Sequence, residues 1–255
     1  MQLRTTANWP ARDDRRITLV WLALFLAITL VGFGTDLGGY LHEEPAVPAI
    51  VHAHAILATI WLLILTAQVA LVETDNAKLH RKFGWFAAGW AALLTVVAAW
   101  GELDHQALFV HQQNIYAHVP GRSTSFLAVS IGGLACFALL TLWAILLRKN
   151  TAAHRRVMMV ANISIVSPGF GRSMRNLTNW HPATPVQMFF FFYLATVLIL
   201  AAMFLWDLKK GRVMRQFVVA SAFVLVEGAL SIYLFLNPAW HGLTQGWIES
   251  WASLN

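Results

Sequence analysis

The chain contains ten histidines, and two of them open the same short pattern: Leu79-His80-Arg81-Lys82-Phe83-Gly84 and Ala153-His154-Arg155-Arg156-Val157-Met158. In each, an imidazole is followed by an arginine (Arg81 or Arg155) and a second base, and then by a long apolar run. A neutral imidazole is a good metal ligand, and two of them on facing helices can grip an iron porphyrin from both sides, with nearby cations pairing its propionates. The pattern therefore predicts a b-type haem between His80 and His154. Arg81 and Arg155, with Lys82 and Arg156 behind them, would supply the propionate partners. His54 and His118 form a second candidate pair towards the opposite membrane face.

Two further groupings carry other chemistry. His52 and His54 are two residues apart, so on a helix they point about 200° away from each other and only one can face a given interior. His54 shares a seven-residue stripe with Trp61 and Gln68. Around these lie Asp36, His42, Glu43, Glu44, Glu102, Asp104, His105, His111, His118 and His181, a set of imidazoles and carboxylates that could hold zinc, copper or iron. The metal alternative assigns His52, His54, His105, His111 and His118 as ligands to a transition metal on the outer side. His-Glu-x-x-His and the repeated histidine boxes of membrane di-iron enzymes are absent from the sequence. The third grouping is a pair of charges inside apolar runs, Arg172 and Glu227, where a charge at mid-bilayer costs at least roughly 2.5 kcal/mol. They are expected to pair, or to line with Asn162 and Gln68 a cavity for an anion, a quinone or a proton, which is the haem-free binding or transport alternative.

The elements that must position these groups follow from composition. Of 255 residues, 58% are hydrophobic and 12% charged. A soluble domain carries about 25% charge, so the reading is an all-α polytopic integral membrane protein. Stretches long enough to cross a bilayer occur at residues 17–33, 49–72, 83–101, 125–147, 157–174, 186–206 and 217–236. The fifth is the most polar, with Asn162, Ser164, Ser167, Pro168 and Arg172, and is expected to be interior. Seven transmembrane helices are predicted, with helices two to five as a four-helix core.

The basic residues fix the expected orientation. Fifteen of the eighteen Lys and Arg fall in the N-terminal tail and the loops two–three, four–five and six–seven. By the positive-inside rule the N-terminus is inside and the C-terminus outside. The net charge of +6 thus marks sidedness and lipid contact, and no nucleic-acid partner is expected. A single membrane domain is predicted, made of a cytoplasmic tail (1–16), a bundle (17–236) and an outer interfacial tail (237–255). The first span is read as a retained anchor in a multi-pass protein of the cell membrane, a bacterial inner membrane. The single cysteine, Cys136, excludes an intrachain disulfide.

Helices two and three, and four and five, form two hairpins with His-Arg-basic at the same inner turn, a weak internal repeat. On His54, Gln68, the two His-Arg-basic hexapeptides, Met159 and Arg172, the segment from Val51 to Arg172 is similar to a family of uncharacterised bacterial predicted membrane proteins, a domain of unknown function. On His54, His80, His118 and His154 the four central helices also resemble the di-haem, ascorbate-reducible transmembrane cytochromes of b type. That resemblance implies one haem on helices two and four, another on helices three and five, and electron transfer from a quinol or a small reductant.

Overall fold

A computed structural model describes residues 11–40, 42, 46–112, 123–178 and 182–254. Among these the secondary structure is helical: α1 (Ala11–Tyr40), α2 (Ala49–Glu73), α3 (Ala77–Ala107), α4 (Leu127–Leu146), α5 (Thr151–Ser164), α6 (Ser167–Thr178), α7 (Pro185–Lys209), α8 (Arg215–Phe235) and α9 (Pro238–Ala252), with short 3₁₀ turns at Val110–Gln112 and Thr124–Phe126. Local chemistry sets several boundaries. Asn76, Asn150, Thr184 and Asn237 cap the N-termini of α3, α5, α7 and α9, the last two followed by proline at the first helical position. Gly211 closes the turn after α7 with a φ of 65°, a conformation that glycine adopts freely.

Among the described residues, six helices are long and apolar enough to cross a membrane: α1, α2, α3, α7, α8 and α4 with its preceding turn. Their outward faces carry exposed Leu30, Ile56, Leu63, Val96, Leu198 and Val226, as a lipid-facing surface requires. This is the architecture of a multi-pass membrane protein. The stretch expected as the fifth span at 157–174 is two helices, α5 and α6, broken just before Pro168. Pro168 has no N–H to donate and disfavours helical geometry in the residue before it, so α5 closes with tight turns at Ile165 and Val166 and the chain restarts at Ser167.

The two short helices still run the length of the bundle. At one end Arg156, in the second turn of α5, bonds Asp207 at the end of α7. At the other, Arg172 of α6 bonds Asp36 near the end of α1, while α1 begins beside the α2–α3 turn through Arg15 and Asp75. The packing centre differs from the expected one. The largest core is built by α4, α5, α7 and α8, including Cys136, Leu140, Val157, Val160, Met203, Phe217 and Val224. α2 and α3 join it from the side through Trp61, Ile64, Ala91, Leu94 and Phe137. The reason is the polarity of α5: buried Arg156, Asn162 and Ser164 need cover on every side, which α7 and α8 help to provide. The expected burial of this segment is therefore observed, inside a different set of neighbours.

Candidate functional site

The two histidine hairpins are built alike. Asn76 accepts from the Leu79 N–H at 3.3 Å, and Asn150 from the Ala153 N–H at 3.2 Å, so each asparagine caps its helix four residues before a histidine. One turn into the helix, each imidazole turns back towards the helix that precedes it. His80 Nδ1 lies 3.3 Å from the Gln68 carbonyl, and His154 Nδ1 lies 2.8 Å from the Ala144 carbonyl. The hairpins bring the two rings together edge-to-face across the bundle, with centres 6.3 Å apart and planes at 78°.

The hydrogen bonds assign chemistry to these nitrogens. A carbonyl only accepts, so Nδ1 of His154 carries the proton and Nε2 keeps a lone pair, the tautomer that a metal ligand needs. Ala144 belongs to the last turn of α4, whose carbonyls have no partner within their own helix; His154 satisfies one of them. His80 is different, because the Gln68 side chain also reaches its Nδ1. With its amide turned so that Oε1 accepts from the Gly84 N–H at 2.9 Å, Gln68 Nε2 donates to His80 Nδ1 at 2.6 Å. Turned the other way, the amide NH2 would oppose the Gly84 N–H, so the first orientation is the satisfied one and it makes Nδ1 of His80 the acceptor. Gln68 therefore decides which nitrogen of His80 is protonated.

A cavity of about 550 Å³ adjoins both rings, within the size range of small-molecule sites. Its walls include Trp21 and Phe25 of α1, Leu65 and Val69 of α2, and Met158 and Ile163 of α5. Arg15, Arg81, Arg148, Lys149 and Arg155 also line it. A smaller space of about 100 Å³ continues past the histidines between Trp61, Ala87 and Thr141, sharing His80, His154, Gln68 and Gly84 with the larger one. Asn162 lines the larger cavity and is fixed by accepting from Trp61 Nε1 at 2.9 Å and donating to the Met158 carbonyl at 2.8 Å. The arrangement offers two imidazole ligands, apolar walls and a cationic rim.

Other predicted residues fall elsewhere. Arg156 is buried and held by Asp207, with Nε to Oδ2 at 3.0 Å and Nη2 to Oδ1 at 2.8 Å. It serves the fold, while Lys82 is exposed, so the two second-position bases do not line the cavity. The expected Arg172–Glu227 pair is not formed. Arg172 donates through Nε to Asp36 at 3.0 Å, and Arg175 and Asn176 bond the same carboxylate. The cause is the close approach of α6 to α1, where a Cβ on Gly32 would overlap the Gly169 carbonyl, so α6 presents its cations to α1. Glu227 instead bonds Ser231 on its own helix.

Among the described residues, the histidines of the predicted metal site are dispersed. His52 and His111 are exposed, His105 stacks edge-on against Phe109, and Nδ1 of His54 is buried without a hydrogen-bond partner. Asp104 accepts from Trp251 Nε1 and Glu102 from Gln106. Among the described residues, no three of His, Cys, Asp and Glu converge as a metal site would require. His118, Glu43, Glu44 and His181 lie outside the described residues, and with His118 the second haem pair.

Two features were not anticipated from the residues alone. The matching asparagines four positions before each histidine strengthen the repeat, and that spacing was open to view in the chain. The buried Asp207 was signalled only by being an acid among Lys209, Lys210, Arg212 and Arg215. Comparison with protein families, with curated proteins and with solved structures finds no match for this chain.

Proposed function

We propose that the protein is a membrane electron-transfer protein that binds b-type haem between His80 and His154. The observation that carries this reading is the spacing of the two rings. With a metal–nitrogen distance of about 2 Å and a further ~1.1 Å from nitrogen to ring centre, two imidazoles on opposite sides of one iron have centres about 6 Å apart. The rings of His80 and His154 stand 6.3 Å apart. The tautomer imposed on His154 by Ala144, the cavity extending to both sides of the histidines, and the arginines at its rim support the same assignment. Arg81 and Arg155 are the propionate partners in this reading. A quinol or another small reductant is the electron donor.

The placement of charge supports seven crossings with the N-terminus inside and the C-terminus outside. Arg15 meets the α2–α3 turn, Arg148 of the α4–α5 turn lies over Trp85 of α3, and Arg156 meets the end of α7, so the basic turns gather at one face. The α5–α6 pair then serves as a fifth, broken crossing whose interrupted backbone is enclosed by protein. A bacterial inner membrane is the setting proposed for it.

The test is an optical spectrum of the protein purified after expression with haem supply, oxidised and then dithionite-reduced, with haem identified as its pyridine complex. A b-type reduced band at one haem per chain is expected. Protein that folds and carries no haem under these conditions would overturn the proposal.

A further inference from the structure

Glu227 lies twelve residues into α8, about 18 Å from the helix start by its rise per residue, and so within the bilayer core. Its surroundings are shaped around a carboxyl group. Glycine occupies position 132 on α4, where a Cβ would overlap Glu227 Oε1 and come within 2.9 Å of Ser231 Oγ. Gly228, beside it on α8, leaves room for the ring of Tyr193 from α7. The titratable groups facing Glu227 are the Cys136 thiol of α4 and the Tyr193 phenol of α7. No cation pairs with it among the described residues, and Oε2 is buried with no hydrogen bond.

Counting protons decides what this carboxyl group is. Ser231 Oγ lies 2.8 Å from the Ala128 carbonyl and 2.6 Å from Glu227 Oε1. A hydroxyl has one proton to give, and the Ala128 carbonyl can only accept. When Ser231 donates to Ala128, the short contact to Glu227 needs a proton on the carboxyl. An ionised carboxylate would take the serine proton away from Ala128 and leave a charge in apolar surroundings, its second oxygen unbonded.

We infer that Glu227 is a proton-binding site of the membrane interior, a carboxylic acid that takes up and releases a proton in the cradle formed by Gly132, Ser231 and the Ala128 carbonyl. It does not depend on haem. When the proton leaves, the Ser231 hydroxyl turns from Ala128 to the carboxylate, so Ser231 is the positioning residue. The Tyr193 hydroxyl, buried beside Ser231, is an additional donor available to the ionised form.

Infrared spectroscopy of the full chain in lipid nanodiscs tests this. At neutral pH the protein is expected to show a protonated-carboxyl C=O band that shifts in deuterium oxide, converts reversibly to carboxylate bands as pH is raised, and is lost in Glu227→Gln. Gln keeps the size and can still donate to Ser231. In parallel, dicyclohexylcarbodiimide, which attacks protonated carboxyls from the apolar phase, is expected to modify Glu227 of the wild-type chain, located by peptide mass spectrometry. Failure of the Gln variant to fold leaves that wild-type mapping decisive. Carboxylate bands alone at neutral pH, a C=O band that survives in a folded Gln variant, or modification absent from Glu227 would each overturn the inference.

Discussion

His80 and His154 occupy equivalent positions in two hairpins, yet their imidazoles are held by unequal means. His154 rests on a single carbonyl, that of Ala144, at 2.8 Å, whereas His80 meets both the main-chain carbonyl and the side-chain amide of Gln68. An iron bound at Nε2 of both rings would require the proton on Nδ1 of both. That condition is built into His154 and depends on an amide rotation at His80.

Gln68 is therefore expected to control the electronics of the haem more than its neighbours do. Gln68→Leu removes the amide that donates to Nδ1 and leaves that nitrogen only the main-chain carbonyl of residue 68 at 3.3 Å, so the iron-binding tautomer is favoured and haem affinity should rise. Gln68→Glu places a carboxylate where it can accept from Nδ1–H, which raises the basicity of Nε2 and should lower the reduction potential. Spectroscopic redox titration of the three proteins checks the order; equal potentials in wild type and Gln68→Glu would show that Gln68 does not act on the iron.

Removing either ring should have the same consequence. His80→Ala and His154→Ala are each expected to lose the b-type spectrum while retaining the fold, judged by monodisperse elution and helical circular dichroism. His54→Ala should keep the haem proposed between His80 and His154, because His54 belongs to the first half of α2 and does not line the cavity. A full haem complement in His154→Ala would point to another ligand pair.

The membrane class and the layer shared by His80 and His154 were legible from hydropathy and the repeated His-Arg-basic turn. Partners of the buried charges were not. Distance along a helix gives depth in the membrane but no direction around the bundle, so Arg172 and Glu227 looked able to meet when Arg172 in fact faces α1 and Glu227 faces α4. The break at Ile165 and Val166 was foreshadowed by Pro168, while the enclosure of α5 by α7 and α8 was not, because apolar spans read alike whether they face lipid or protein. Lipid tails and leucine side chains are equally apolar, so hydropathy cannot tell those surfaces apart.

The Arg156–Asp207 pair should be strongly stabilising against single substitutions and nearly neutral to joint replacement. Both side chains are almost fully buried, and the Arg212 guanidinium adds a longer contact at 3.7 Å. Arg156→Leu leaves a buried carboxylate without its bidentate partner, which costs about 3–5 kcal/mol. Arg156→Met combined with Asp207→Leu removes both charges and should recover most of that loss. Thermal unfolding in detergent compares the three proteins; a double variant no more stable than Arg156→Leu would mean that Arg212 has come to depend on Asp207 as well.

The contact between α1 and α6 makes a sharper prediction, since two glycines on the same helix should respond oppositely. A Cβ at Gly32 overlaps the Gly169 carbonyl, and both partners are backbone, which cannot move aside as a side chain can. Gly32→Ala must push α1 away from α6, at a cost of roughly 1–3 kcal/mol. Gly34 faces open space, so Gly34→Ala adds only helix propensity and should leave stability unchanged or raise it by up to about 1 kcal/mol. The effect of Gly32→Ala should also reach the cavity proposed to hold haem, because Trp21 and Phe25 of α1 form one of its walls. Faster loss of haem during detergent dilution is expected in Gly32→Ala and wild-type retention in Gly34→Ala. If both variants retained haem equally well while Gly32→Ala unfolded earlier, α1 would be a structural strut and the cavity would be closed by other helices.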